Sequence, residues 1–429
     1  MTTKEAVAAR VRHWRLKRGI SQQELADLTG RSQRWMIEVE AGRADPKVSD
    51  LVELTRALKV GFADLLEGSV PATPVEAVGR PIRPIAAKLA NAAGSQDTRW
   101  GTRIGRLWFP WVVSGYGPYR PEDIESHYHL AGPTYPPEVE RTVANIHDDV
   151  AERGGRGEEV PFDSPAFKLT RFHVSSRTRR EEPRLVLHFA PTTYFHMLAT
   201  DQRLDVPDTW GGRTYTLREK YAASIDLRVA PAAEFATHWG VGLAVVTSDG
   251  FLLASERGDT AVDPHVIFPS VAESANRDVD SNSEGAPNHL NIAARGVEEE
   301  LGVEMDPAEL TWLSFGANSY LCEYGLIGRV NTKHTAAEIE QRRSIGAAKD
   351  SWETTVLHAV EFNPVAVATF LAEPGRRVSA FALVSFAHAL MSEFGVAKVE
   401  AAFADAEITV SQHLPEWLRS SLRVGGGTH

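Results

Sequence analysis

Residues 11–68, VRHWRLKRGISQQELADLTGRSQRWMIEVEAGRADPKVSDLVELTRALKVGFADLLEG, decide how the N-terminal part of the chain folds. In Ser21-Gln22-Gln23-Glu24 a hydroxyl is followed three residues later by a carboxylate. That is the pattern of a capping box, in which each side chain satisfies a backbone N–H at a helix start. Gly30 closes this short helix and Ser32 caps the next one. There Met36 and Val39 are expected to face inward, with Gln33, Arg34, Ile37 and Glu38 facing outward. Gly42 supplies a left-handed stop, and Pro46 keeps the chain from continuing as helix. Val7, Val11 and Trp14 lie at helical spacing within Lys4–Lys17, and Val48, Leu51, Leu54 and Leu58 repeat the stripe. Phe62, Leu65 and Leu66 close a small core, so residues 1–67 are expected as an all-α unit of five short helices.

Two short helices joined by a tight turn, the second presenting long polar side chains, make a helix-turn-helix. The stretch resembles the Cro/repressor (XRE) family throughout its length. The resemblance implies that Gln22 contacts a DNA phosphate, that Gln33, Arg34 and Glu38 point at base edges, and that Arg43 approaches phosphate just beyond them. Arginine suits the two acceptors of guanine, glutamine suits adenine, and glutamate accepts from the cytosine amine. Family members also bury an ion pair between the first and the reading helix, here Arg15 with Glu40. Trp35 departs from the small polar residue common at its position, so base preference does not carry over.

The chain has 429 residues, enough for several domains with cores of ordinary size. A hydrophobic content of 43% and a charged content of 24% are those of a globular protein. No apolar run approaches the roughly 20 residues of a membrane helix, and the N-terminus lacks the pattern of a secretory signal. A single cysteine, Cys322, forbids an internal disulfide framework and fits a reducing, cytoplasmic setting. It reads as a small buried hydrophobe in a strand. The net charge of −11 argues against nonspecific coating of nucleic acid. Basic residues such as Arg31, Arg34, Arg43 and Lys47 make a local exception, so binding is expected to be specific and salt-sensitive. One such module buries little surface, which makes a homodimer reading two half-sites of a duplex DNA operator the expected partner arrangement.

Residues 68–98, rich in proline, read as a linker. Residues 99–235 read as an α+β middle domain. RLWFPWVV (106–113) is a buried run, Phe167–His173 and Arg184–Phe189 are strands around a charged tip at Ser176–Pro183, and a helical stretch covers Tyr194–Thr200. His127, His129, His147, His173, His188 and His196 match no tetrahedral zinc spacing and are taken as partly exposed or hydrogen-bonded histidines.

From Trp239 the pattern sharpens. GVGLAVVTSDGFLLASERG is a strand, an Asp249-Gly250 turn and a second strand. Residues 293–305, AARGVEEELGVEM, form an amphipathic helix ended by Gly302, with Ile292, Val297 and Leu301 on the apolar side and Glu298, Glu299 and Glu300 on the other. Strands Leu310–Phe315, Tyr320–Val330 and Thr355–Phe362 follow, then helices near Pro364–Leu371 and Ser379–Phe394. An α/β/α sandwich over residues 236–400 is expected, and 401–429 is read as a C-terminal segment with a flexible tail.

The run Arg295-Gly296-Val297-Glu298-Glu299-Glu300-Leu301-Gly302-Val303 resembles the second half of the Nudix signature, and the hairpin before it and the strands after it come in the family's order. The resemblance implies a Nudix-like domain with Glu299, Glu300 and an upstream Glu273 as metal carboxylates, Arg295 orienting them at a ligand site, and Mg2+ as the metal of an active member. Gly296 stands where the family has a glutamate, and the front half of the signature is replaced by a polar segment, Asn276–Asn288, that reads as an insertion. Together the two resemblances imply a multidomain DNA-binding transcriptional regulator whose degenerate Nudix-like domain senses a small anionic ligand such as a nucleotide or diphosphate. An active magnesium-dependent hydrolase fused to a helix-turn-helix is the competing reading. A third is an antitoxin-like or phage-related repressor controlled by a protein partner.

Overall fold

Capping chemistry sets the helices of the N-terminal unit. In the computed structural model, α1 (Gln22–Leu28) starts at Ser21, whose Oγ accepts from Glu24 N at 3.1 Å while Glu24 Oε2 accepts from Ser21 N at 2.6 Å. Ser32 Oγ accepts from Trp35 N at the head of α2 (Gln33–Glu40), which ends before Gly42 at φ 70°. α3 (Val48–Leu58) follows. Val7, Val11, Leu25, Met36, Val39, Leu51, Leu54, Leu58 and Leu65 form one buried cluster, so the apolar stripes meet as their spacing required.

The residues described are 7–8, 10–12, 14–15, 20–44, 46–58, 60, 65, 101–104, 107–158, 160–175, 184–210, 213–223, 225–258, 265–349, 354–404 and 406–410. They divide into two compact units, the helical one above and a larger sheet-containing one. The linker expected at 68–98, the charged tip at 176–183 and the tail beyond 410 lie outside the described residues.

The larger unit opens with a hairpin, β1 (Thr102–Ile104) and β2 (Leu107–Phe109), then β3 (Trp111–Tyr119) and β4 (Ile124–Tyr128). α4 (Pro137–Gly155), β5 (Pro165–Ser175), β6 (Arg184–Thr193) and α5 (Tyr194–Ala199) follow, so the two middle strands and the short helix stand where their patterns put them. β4, β6 and β5 form a three-stranded sheet with β6 central. β7 (Asp208–Trp210) and β8 (Arg213–Tyr215) make a separate hairpin.

The main sheet begins at β9 (Trp239–Val246), and Gly250 at φ 84° turns the chain into β10 (Phe251–Arg257). Then come β11 (Val266–Phe268), β12 (Val271–Ser274), α6 (Arg277–Asp280), α7 (His289–Leu301), β13 (Leu310–Asn318), β14 (Glu323–Asn331) and α8 (Ala336–Ser344). β15 (Thr354–Glu361), α9 (Pro364–Leu371), β16 (Arg377–Val378), α10 (Ala380–Phe394), α11 (Val396–Phe403) and β17 (Thr409–Val410) complete the order. The ten-stranded sheet runs β17-β16-β11-β10-β9-β14-β13-β3, with β12 also on β9 and β15 also on β10.

One sheet therefore draws on segments expected as separate domains. β3, from within 99–235, pairs antiparallel with β13, Trp111 opposite Asn318 and Tyr119 opposite Trp312. Residues 99–235 and 236–400 share a core in which Phe167, Leu187 and Phe189 join Val241, Leu243, Ile292 and Val297. Alternate residues of β9, Ala244 and Val246, face a second core with α9, α10 and α11. The layering is helix and small sheet on one face, helices on the other. The C-terminal segment reaches the sheet: β17 pairs parallel with β16, at Thr409–Arg377 and Val410–Val378. One more expectation needs correction: Cys322 is buried, but in the left-handed turn between β13 and β14 (φ 56°) and not within a strand.

Candidate nucleic-acid interface

α2 carries the side chains that the helix-turn-helix reading singles out. Met36 and Val39 are buried, while Gln33, Arg34 and Ile37 are exposed and Glu38 is half-exposed. The helix thus keeps one face in the core and offers a polar row to solvent. Glu40, at its end, is pinned by a buried pair: Arg15 Nε donates to Oε1 at 2.5 Å and Nη2 to Oε2 at 3.0 Å. Arg15 Nη1 also donates to the Ile20 carbonyl at 2.9 Å, so one guanidinium ties the segment before α1 to the end of α2. Glu40 holds Arg15 in its charged form.

Gln22 joins this brace. Its Nε2 donates to Glu40 Oε2 at 2.8 Å, which fixes the first residue of α1 against the last residue of α2. The Gln22 carbonyl oxygen is not engaged by this bond, and the backbone N–H groups at the head of α1 add the positive end of the helix dipole. Arg31 pairs with the buried Asp50 and lies 5.4 Å from the Trp35 ring, so Trp35 is packed under a cation at the head of α2. Glu38 and Arg43 form a bidentate pair, with Arg43 Nε 2.8 Å from Oε2 and Nη2 3.0 Å from Oε1. Arg43, followed by Arg34, keeps the Glu38 carboxyl below its usual range. Gln33, Arg34 and Arg43 are thus exposed and Glu38 half-exposed, while Gln22 is held by Glu40.

The second site candidate has a different character. Arg295 on α7 is surrounded by acids: Nε and Nη2 donate to Asp280 at 3.1 and 2.7 Å, and Nη1 lies 2.9 Å from Glu299 and 3.0 Å from Glu273. Nη2 also donates to the Ser274 carbonyl. Glu300 Oε1 accepts from Ala272 N at 3.0 Å, next to Glu273 on β12. Arg295 brings Glu273 and Glu299 together. Burial pushes the Glu273 carboxyl up to about 7 against the pull of Arg295. Asp280, fully buried, was hidden in the polar segment read as an insertion; its link to Arg295 makes that segment part of the fold.

This donor set does not fit a magnesium centre. One guanidinium nitrogen, Arg295 Nη1, is paired with both Glu273 and Glu299, Gly296 supplies no ligand, and Glu300 Oε1 accepts from a backbone amide. Among the described residues no group of three or more His, Cys, Asp or Glu side chains is placed to hold a metal ion. Several histidines of the middle segment have other partners: His129 Nε2 lies 3.1 Å from His188 Nδ1, His127 lies 2.8 Å from Glu125, and His196 bonds Thr193 at 2.9 Å.

Residues 6–67 match the family described as a helix-turn-helix domain. Among solved structures, the restriction-modification controller protein C.AhdI from Aeromonas hydrophila is 28% identical, covering 14% of this chain and 92% of that one, with a TM-score of 0.14. The clp gene regulator ClgR from C. glutamicum is 30% identical over 15% of this chain and 85% of that one, with a TM-score of 0.15. The hypothetical transcription factor NHTF from Neisseria is 33% identical over 15% of this chain and 74% of its own, with a TM-score of 0.14. No curated protein matches the chain. No helix among the described residues is long and apolar enough to cross a membrane. The chain carries an N-terminal helix-turn-helix domain, and the family match supports a DNA-binding regulator.

Proposed function

We propose that the protein is a sequence-specific transcriptional regulator that docks α2 in the major groove of duplex DNA, as a homodimer reading two half-sites. The observation that carries this reading is the division of α2: Met36 and Val39 buried, Gln33 and Arg34 exposed, and the helix end locked by Arg15–Glu40–Gln22. A reading helix needs its backbone held while its base-facing side chains stay accessible. The overall charge of −11 repels DNA elsewhere and leaves the basic residues near α2 as the favoured approach.

The larger unit is proposed as the sensor of this regulator, responding to a small anionic, nucleotide-like ligand and not hydrolysing it. The Nudix-like run Arg295–Val303 and the elements around it support that reading. Gly296 and the pairing of Arg295 with Glu273 and Glu299 speak against turnover. A ligand that binds the DNA-competent dimer more tightly than the incompetent one shifts operator occupancy by the ratio of the two affinities.

The test is selection of duplexes from a random-sequence pool by the full-length protein, followed by sedimentation of the complex. Enrichment of a two-fold-symmetric site bound by two copies is expected; no enrichment at low salt would remove the reading. Thermal unfolding with ADP, ADP-ribose or pyrophosphate, each with and without Mg2+, tests the sensor. Ligand-dependent stabilisation without phosphate release is expected, and release of phosphate would favour the hydrolase.

A further inference from the structure

We propose that Glu38 is a positioning residue: it holds the Arg43 guanidinium beside α2 for a DNA phosphate and does not itself read a base. The inference rests on the docking reading above. Three observations carry it. The fork is bidentate, at 2.8 and 3.0 Å, a geometry that orients as well as attracts. The backbone folds back on the same residue, because Arg43 N and Ala44 N both donate to the Glu38 carbonyl, at 2.9 and 3.0 Å. Side chain and main chain of residue 38 therefore fix the turn after α2 together.

The remaining donors favour Arg43 as the partner that meets DNA. The pair uses Arg43 Nε and one hydrogen on Nη2, which leaves three N–H donors for phosphate oxygens. Each Glu38 oxygen already accepts from the Arg43 fork, which fixes the carboxylate plane toward Arg43. Both side chains lie at the surface, 39% and 60% exposed for Glu38 and Arg43, so the pair forms with little desolvation and Arg43 stays accessible. Arg34 sits one turn before Glu38, giving a row of plus, minus, plus along the exposed edge. An unpaired carboxylate in that row would repel the DNA backbone; paired, it becomes a clamp.

The test uses the full chain and the duplexes that the wild-type protein selects from a random pool. Glu38→Ala is expected to weaken binding by about the same factor as Arg43→Ala, roughly tenfold, with base preference unchanged at every position. Both variants should lower the slope of log affinity against log salt by about one, the signature of a single lost phosphate contact. The double variant should bind no more weakly than either single one. Glu38→Gln, which keeps the shape and removes the charge, should show the same salt slope as Glu38→Ala and guards against a local unfolding of α2. Tighter binding by Glu38→Ala, as simple removal of an acid near phosphates would give, overturns the proposal. So does altered preference at one base pair. A wild-type protein that selects nothing removes the docking reading itself.

Discussion

Gly296 and Val271 are in contact with no room between them: a Cβ on Gly296 would lie 2.7 Å from Val271 Cγ1 and 3.0 Å from Glu273 Cβ. This approach seats α7 directly on β12. It also explains the glycine as a packing requirement at a position where the Nudix resemblance implies a carboxylate. Replacing Gly296 by alanine would gain about 1 kcal/mol of helix propensity. Overpacking against the fully buried Val271 should cost about 1–3 kcal/mol and win. Gly296→Ala is therefore expected to lower the unfolding temperature of the full chain, Gly296→Glu to lower it further, and neither to create hydrolysis. A Gly296→Ala protein more stable than the wild type would show that the space exists.

Arg15 and Glu40 make a second testable pair. Glu40→Ala leaves the Arg15 guanidinium buried without its carboxylate and releases Gln22 as well, and breaking one half of a buried pair costs about 3–5 kcal/mol. For a small helical unit that is a large part of the total stability. Loss of cooperative unfolding of the N-terminal unit, followed by hydrogen exchange of α1 and α2 amides, is the expected outcome. Protection equal to wild type would contradict the brace.

Arg34 tests reading, not folding. It is exposed on α2, and Arg34→Ala should cost about 1–3 kcal/mol of specific binding and relax the choice at one base pair. Unfolding temperature should not move. Unchanged affinity for the selected duplexes would place the wrong face of α2 in the groove.

How much of this was legible depended on the range of the interactions. Ser21 with Glu24, Ser32 with Trp35, and Gly302 at φ 69° after Leu301 are local, and residue type and spacing suffice to find them. The Asp249-Gly250 turn is of the same kind. The pairing of β3 with β13 is not local: an apolar run around Trp111 shows burial but carries no sign that its partner is Asn318. Asp280 was obscured for a related reason. Polar residues between Asn276 and Asn288 look solvated until Arg295, on a different element, gives one of them a partner. The Glu38–Arg43 fork depends on how the turn closes, which five residues of sequence do not specify.

Asp201 gives the protein a pH dependence whose sign follows from its surroundings. The carboxylate is buried, accepting from His238 N at 3.0 Å and Thr200 Oγ1 at 3.0 Å, and burial pushes it up to about 7. Its ordinary value in an unfolded chain is about 3.9. The folded state therefore holds the proton more tightly, so this contribution is complete below about pH 4 and is lost as pH rises through about 7. One proton gives at most about 1.4 kcal/mol per pH unit across that window. Asp201→Asn keeps an acceptor oxygen and removes the ionisation. The expected result is that the difference in unfolding free energy between wild type and Asp201→Asn moves in favour of the variant as pH is raised from 4 to 7, measured in urea at fixed salt. Parallel pH profiles for the two proteins would mean that Asp201 stays ionised in the folded state, its hydrogen bonds outweighing its burial.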